Sequence, residues 1–297
     1  MNIIEQLDLA IKAKETGTTE GVYTVPYRGG VLEKPTYMTN GEWKAFLNAM
    51  PEMSRLEYAL GGGDELSEKD GHPPKMASYG SSSRMIYNLS RDKEGFHYEK
   101  KLPTTVGGKA NLDGFCESAE RYLFVEAKCH EPYSFKRNAV STTYAALYNY
   151  INTRMAGSLR IAMETSKCGR YMNVDYFAED ERLERFDLKQ MICHLLGIAT
   201  GLLSGTLEQK QIDFVYLLFD PTELTITADA KAAIDAIYER TCYECNLVDF
   251  AELFRVVLEF LRREKFPHAM SDQELDTVIY RFTFTLASQE FYPILIQ

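Results

Sequence analysis

No uninterrupted apolar stretch of roughly 18 residues occurs in the chain, which excludes a membrane-spanning helix. An apolar leader is missing as well. Residues 1–14 carry Ile3, Ile4, Leu7 and Ile11 at helical spacing among acids and lysines, so the expectation is a soluble, cytoplasmic protein. Cysteine is sparse: six are scattered through 297 residues, and reduced thiols are expected. Only Cys242 and Cys245 form a CxxC pair, and Cys193 with His194 does not complete zinc-ligand spacing. The glycines at 61–63 lack GxGxxG spacing and a preceding strand, and no GxSxG elbow surrounds Ser81 to Ser83, which sets aside a dinucleotide loop and a serine hydrolase. Repeats, low-complexity tracts and coiled-coil heptads are also absent.

Positive charge is in deficit, with 33 Lys and Arg against 43 Asp and Glu and a net charge of −10. That balance opposes binding to a polyanion, whose affinity comes largely from cations meeting phosphates. The deficit is uneven. Residues 84–137 hold ten basic and eight acidic side chains, so the rest of the chain carries −12.

The length allows one large domain or two small ones. The first seventy residues read as helical and end at Gly61 to Gly63. From there to Pro74 a Gly-, Asp- and Pro-containing loop separates an N-terminal helical segment, 1–75, from the main unit, 76–297. Ser81 is placed to cap a short helix through Leu89. Strands are expected over 96–102, 110–117 and 122–128, the last two as a hairpin with a four-residue connection at Ser118 to Arg121. Helices follow over 142–161 and 186–203, the second capped by Asp187. The apolar run Phe214 to Phe219 reads as a strand covered on both faces, and helices over 228–240, 247–263 and 272–287 complete the chain. This order predicts an α/β protein with a mixed sheet between helices.

A turn midway between Ala119 and Glu120 sets opposite each other residues whose numbers sum to 239, so Asp113 faces Glu126. Two carboxylates in that position repel unless a cation intervenes. Strand alternation adds Lys128 to the face of Glu126, while Leu123, Val125 and Ala127 take the other. A hard cation such as Mg²⁺, with Mn²⁺ as substitute, would relieve the repulsion and leave water positions for a phosphate to displace. Asp113 and Glu126 are the expected metal ligands, and Lys128 the residue that orients a nucleophile or stabilises developing negative charge. The bland alternative is a solvated sheet face with Lys128 paired to an acid.

Asn111-Leu112-Asp113, a spacer, and Glu126-Ala127-Lys128 resemble the PD-(D/E)xK motif of restriction-endonuclease-like nucleases, and the likeness covers residues 81–221. The resemblance implies a three-layer restriction-endonuclease-like core, with N- and C-terminal helical additions here. It also implies metal-dependent phosphodiester hydrolysis, with DNA a likelier substrate than RNA and a homodimer compatible with double-strand cutting. Gln190 to His194 is similar to the family's QxxxY pattern, which adds Gln190 to the catalytic set. Residues four apart share a helical face, so His194 joins it. The motif's proline is missing before Asp113, and no acid lies in residues 81–89 to match the family's first-helix glutamate; Glu99 and Glu131 are substitute candidates. Lys100, Lys101, Lys136 and Arg137 are candidate phosphate contacts. A competing reading is a nuclease-like fold that has become a nucleic-acid- or protein-binding module.

Overall fold

The computed structural model describes every residue except 70, 135–137, 279 and 287–297. Helix α1 (Ile3–Thr16) begins at Asn2, whose side chain and that of Glu5 cap each other's backbone, and stops at left-handed Gly17. Next comes a hairpin of β1 (Tyr23–Tyr27) and β2 (Gly30–Lys34), then α2 (Asn40–Ala49) and α3 (Glu52–Gly61), divided at Met50 and Pro51. The hairpin corrects the all-helical expectation for this region. Arg28 and Gly29 both take positive φ, 48° and 80°, as a two-residue turn requires, and the ribbon has only two strands, so Pro26 interrupts no inner ladder.

Ser81 caps α4 (Ser82–Ser90) through its side chain, which accepts from Arg84 N–H. Strands β3 (Phe96–Pro103), β4 (Lys109–Glu117) and β5 (Arg121–Lys128) form an antiparallel meander. Its β4–β5 pairs, from Gly114 with Val125 to Glu117 with Tyr122, keep the register summing to 239. The connection is tighter than expected: Ser118 N–H donates to the Arg121 carbonyl, which leaves three residues between the strands.

A second antiparallel sheet follows, with β6 (Ala139–Ser141) beside β8 (Tyr171–Ala178), β7 (Leu159–Thr165) on its other side, and β9 (Glu181–Arg182) paired to the end of β8. Between β6 and β7 lies α5 (Ala145–Arg154). The helix expected over 142–161 thus ends at Arg154, and its last residues belong to β7. In β8 burial follows period two, with Met172, Val174, Tyr176 and Ala178 inward.

Helix α6 (Leu188–Leu203) leads to β10 (Gln211–Leu218), and then to α7 (Ala228–Asn246), α8 (Phe250–Glu264), α9 (Asp272–Thr277) and β11 (Tyr280–Leu286). The helix expected over 272–287 stops at Thr277, and position 287 is outside the described residues. Its remainder, Tyr-Arg-Phe-Thr-Phe-Thr-Leu, alternates aromatic and β-branched residues and pairs with β10 in parallel. The main sheet is therefore mixed, in the order β11-β10-β5-β4-β3, with β5 and β10 parallel. Among the described residues no helix is long and apolar enough to cross a membrane.

Both faces of this sheet are covered. Phe124, Phe214 and Leu112 pack with α5, α6 and α8, whereas Val125, Ala127 and Val215 pack with α1, α4 and the first hairpin. The chain is α/β, with helices on either side of a mixed sheet. Gly197 lets α6 sit close to the sheet: a Cβ there would lie 2.5 Å from Ala110 Cβ and 3.1 Å from Leu102 Cβ. Those atoms are fixed to backbone and cannot yield. Gly197→Ala is expected to lower stability by roughly 1–3 kcal/mol through overpacking, although alanine favours a helix by about 1 kcal/mol over glycine. Urea denaturation measures this, and an unchanged or raised midpoint at constant slope would refute the close-approach account.

Candidate functional site

The meander changes face at one level. In β3, Tyr98 packs on the α4 side, yet Leu102, four residues later and so of the same strand parity, packs on the α6 side. In β4, Leu112 and Phe115, of opposite parity, both pack on the α6 side. The switch falls at Glu99, whose φ of +56° lies in the left-handed region, and at Asp113, the residue opposite it between the pairs Tyr98–Gly114 and Lys100–Leu112. Backbone strain of this kind costs about 1–3 kcal/mol and concentrates at sites where the surroundings over-determine it. Here it turns both carboxylates into one cavity.

That cavity has a volume of about 410 Å³ and lies beside the carboxyl end of β5. Its lining includes Asp113, Glu126, Lys128 and Gln190, the four residues proposed from sequence, together with Glu99 and Glu131. Asp113 is half-buried and its Oδ2 accepts the Ala127 N–H at 2.7 Å, which ties β4 to β5 beyond their regular ladder. Lys128 Nζ stands 2.5 Å from Glu126 Oε1 and donates to Gln190 Oε1 at 2.7 Å. His194 Nε2 stands 2.8 Å from Glu126 Oε2. Glu126 and His194 are each only 1% exposed. The two close contacts of Glu126 are ion-pair distances without hydrogen-bond alignment, so neither carboxylate oxygen has an aligned donor.

Local structure explains how α6 delivers its pair. Asp187 caps the helix by accepting Gln190 N–H at 3.0 Å. The turn before it is held by Glu244, a fully buried carboxylate of α7 that accepts the N–H groups of Glu184, Arg185 and Phe186 and pairs with Arg240. Glu131 Oε1 accepts from Ser82 Oγ at 2.8 Å, and its Oε2 accepts from Cys129 N at 2.7 Å. Glu99 Oε2 accepts from Asn111 Nδ2 at 2.6 Å.

Sequence reasoning did not find Glu65, which is 7% exposed and reaches the same cavity from the loop after α3. That loop is tied down by Lys75 N–H to the Asp64 carbonyl and Met76 N–H to the Glu65 carbonyl. Asn111 was within reach of the same reasoning, being two residues before Asp113. Other candidates lie elsewhere: Lys100 covers the Phe115 ring and Lys101 donates to the Leu60 carbonyl. Lys136 and Arg137 fall outside the described residues. Cys242 and Cys245 lie on α7.

The electrostatics are unbalanced. Five carboxylates (Glu65, Glu99, Asp113, Glu126 and Glu131) line the cavity against two lysines, Lys75 and Lys128. Burial alone would raise the Glu126 pKa, but Lys128 and His194 outweigh it and hold the carboxyl down at about 2. Burial works against the Lys128 charge too, and Glu126 and Glu131 overcome it, so the ammonium is held well above its ordinary range. Asp113 goes the other way: burial, and then the Glu126 charge, push it well above the usual carboxylate range. Glu99 is raised by burial, with Glu65 and Glu126 adding to the shift against the Asn111 bond.

Among the described residues no group of three or more His, Cys, Asp and Glu side chains is arranged to hold a metal ion. Asp113 and Glu126 fit as a two-carboxylate seat, because the Glu126 oxygens are buried without aligned donors and Asp113 resists ionisation beside them. No family model, no curated protein and no solved structure matches the chain.

The raised Asp113 has a consequence for stability. A carboxyl whose folded pKa exceeds its unfolded value stabilises the fold below the unfolded value, here 3.8, and loses that contribution as pH rises through the folded pKa. Asp113→Asn keeps an acceptor for Ala127 N–H and removes the charge. It is expected to stabilise the metal-free protein at neutral pH by roughly 0.5–2 kcal/mol, in the range of other function-relieving substitutions. The gain shrinks toward zero near pH 4. Glu126 has the opposite sign: its contribution is present above the usual carboxylate range and lost as pH falls toward about 2. Urea titrations of both proteins across this range test the assignment, and a destabilised Asp113→Asn at neutral pH would contradict it.

Proposed function

We propose that the chain is a divalent-metal-dependent phosphodiesterase with a restriction-endonuclease-like core, acting as a DNA endonuclease of restriction or defence type. The observation that carries this reading is the meeting of Asp113, Glu126, Lys128 and Gln190 in one cavity, with the Glu126 carboxylate buried and lacking an aligned donor. A Mg²⁺ ion held by Asp113 and Glu126, or Mn²⁺ in its place, would polarise the phosphoryl oxygens and lower the pKa of a water.

The protein's own groups have separable roles. Glu126 stays ionised and is steadied at one oxygen by His194 and at the other by Lys128. Lys128 stays protonated, which disfavours it as a general base and favours it as a fixed positive charge beside the developing phosphoryl charge. Gln190 holds the ammonium through Oε1, so α6 sets its direction. The carboxylate excess repels a polyanion until a cation neutralises it, which makes binding of nucleic acid follow binding of metal.

A second reading, a nuclease-like module that binds nucleic acid or protein without cleaving it, is favoured by the lack of a third ligating side chain among the described residues. Titration calorimetry with Mg²⁺ or Mn²⁺ separates the two when combined with cleavage of plasmid, single-stranded DNA and RNA. On the hydrolytic reading the wild type binds metal and Asp113→Asn does not. Lys128→Met is expected to lose about 10²–10³ of the rate, the scale for removing one group that stabilises transition-state charge. Metal binding without cleavage of any of the three substrates would favour the binding module, and equal residual cleavage by wild type and both variants would mark a contaminant.

A further inference from the structure

A second cavity, of about 190 Å³, lies on the other side of the sheet between α1 and α4, just past the carboxyl ends of β5 and β10. Cys129 and Phe219, the residues that follow those two strands, form part of its wall. Ile11, Tyr79, Met85 and Leu89 supply most of the remaining apolar surface. None of these residues belongs to the lining of the carboxylate cavity.

Its polar centre is Arg84, which is 3% exposed. Nη1 donates to the Tyr79 carbonyl at 3.1 Å, Nη2 pairs with Glu15, and the guanidinium carbon lies 4.5 Å from the Tyr79 ring centroid. Nε is buried and has no hydrogen-bond partner. A buried donor without an acceptor forfeits the full desolvation of that group, so an acceptor delivered to Nε is rewarded more than a surface hydrogen bond. The site therefore lacks one acceptor.

Charge decides what kind of acceptor fits. Around the cavity Lys14 and Arg84 are balanced by Glu15 and Asp220, Lys14 is paired with Glu223, and Arg84 with Glu15. A ligand anion would meet two carboxylates and displace Glu15, whereas an ammonium would meet the guanidinium. A neutral carbonyl or ring nitrogen satisfies Nε with the existing pairs intact. The apolar walls and the Tyr79 face, already stacked against the guanidinium, favour a flat body. At about 30 Å³ for each liquid water the space equals roughly six waters, which suits one small ring and not a dinucleotide.

We infer that this cavity binds a small, uncharged, planar ring compound through a carbonyl or ring-nitrogen acceptor on Arg84 Nε. The site is independent of the hydrolytic reading, because it shares no residue with the carboxylate cavity.

Benzamide is the probe, with benzoate and benzylamine as anionic and cationic isosteres, observed by ligand-detected NMR and by chemical-shift perturbation in the full chain. Saturable benzamide binding with a dissociation constant on the order of millimolar is expected, as for a fragment of this size. Benzoate and benzylamine should bind at least about tenfold more weakly, the ratio that loss of one hydrogen bond to a charged donor gives. Arg84→Met should weaken benzamide similarly. Since Arg84 is buried and its replacement can impair folding, Met85→Trp serves as the second variant: it fills the cavity from a half-buried position and should abolish binding while the protein stays folded. No saturable benzamide binding, or undiminished binding by Met85→Trp, overturns the inference, as does benzoate binding more tightly than benzamide.

Discussion

One buried ammonium holds the centre of this molecule. Lys128 lies within 2.5 Å of a carboxylate that is itself 1% exposed, and burying either ion alone would cost several kcal/mol. Together, with Gln190 and His194 as further partners, they form a set in which the Glu126 charge is retained. Asp113 is the remainder. It shares the cavity, it is pushed toward the neutral form by burial and by Glu126, and no second buried lysine stands beside it. A fold that merely lined a sheet face with charges would have no reason to keep that carboxyl there. The excess becomes intelligible when a cation from solution is counted as part of the functional state.

The backbone enforces this arrangement before any side chain does. Reversal of face at Glu99 and Asp113 lets Leu102, Ala110 and Leu112 face α6 while Phe96 and Tyr98 face α4. The two acids stand at the reversal itself. Gly197 then lets α6 approach Leu102 and Ala110 closely, and Gln190 and His194 lie on that same helix. Packing and chemistry are thus linked: the contact that closes the core also fixes how far the Gln190 amide can reach.

Local signals carried the legible part of the fold. Ser81, Asp187 and Asp249 cap their helices through side-chain oxygens, an interaction spanning three residues of sequence. The β4–β5 register follows from a short turn and alternation, so the neighbourhood of Asp113, Glu126 and Lys128 was readable without coordinates. Helical periodicity likewise brought Gln190 and His194 to one face. What could not be read depends on distant partners. β11 forms because its extended stretch meets β10, more than sixty residues earlier in the chain, and the first hairpin turns on a non-glycine residue, Arg28, held at positive φ. Glu65 arrives through a loop whose composition says only that it is a loop, and the left-handed φ of Glu99 leaves no mark in sequence at all.

Segregation of charge on α4 completes the picture. Ser82 and Ser83, in its first turn, line the carboxylate cavity, while Arg84 and Met85 line the cavity on the other side. Arg84 is a buried cation only one residue from that first group. Had it pointed toward the carboxylates, its planar fork could have engaged one of them in two hydrogen bonds and quenched the excess. Instead Tyr79 and Glu15 hold it away. Strand alternation repeats the division at Lys128 and Cys129, adjacent residues whose side chains leave β5 toward opposite faces. The same helix and strand end therefore keep a buried guanidinium out of the acidic cavity, so that Lys128 and Lys75 are the lysines facing its five acids and the demand for a cation persists in the folded state.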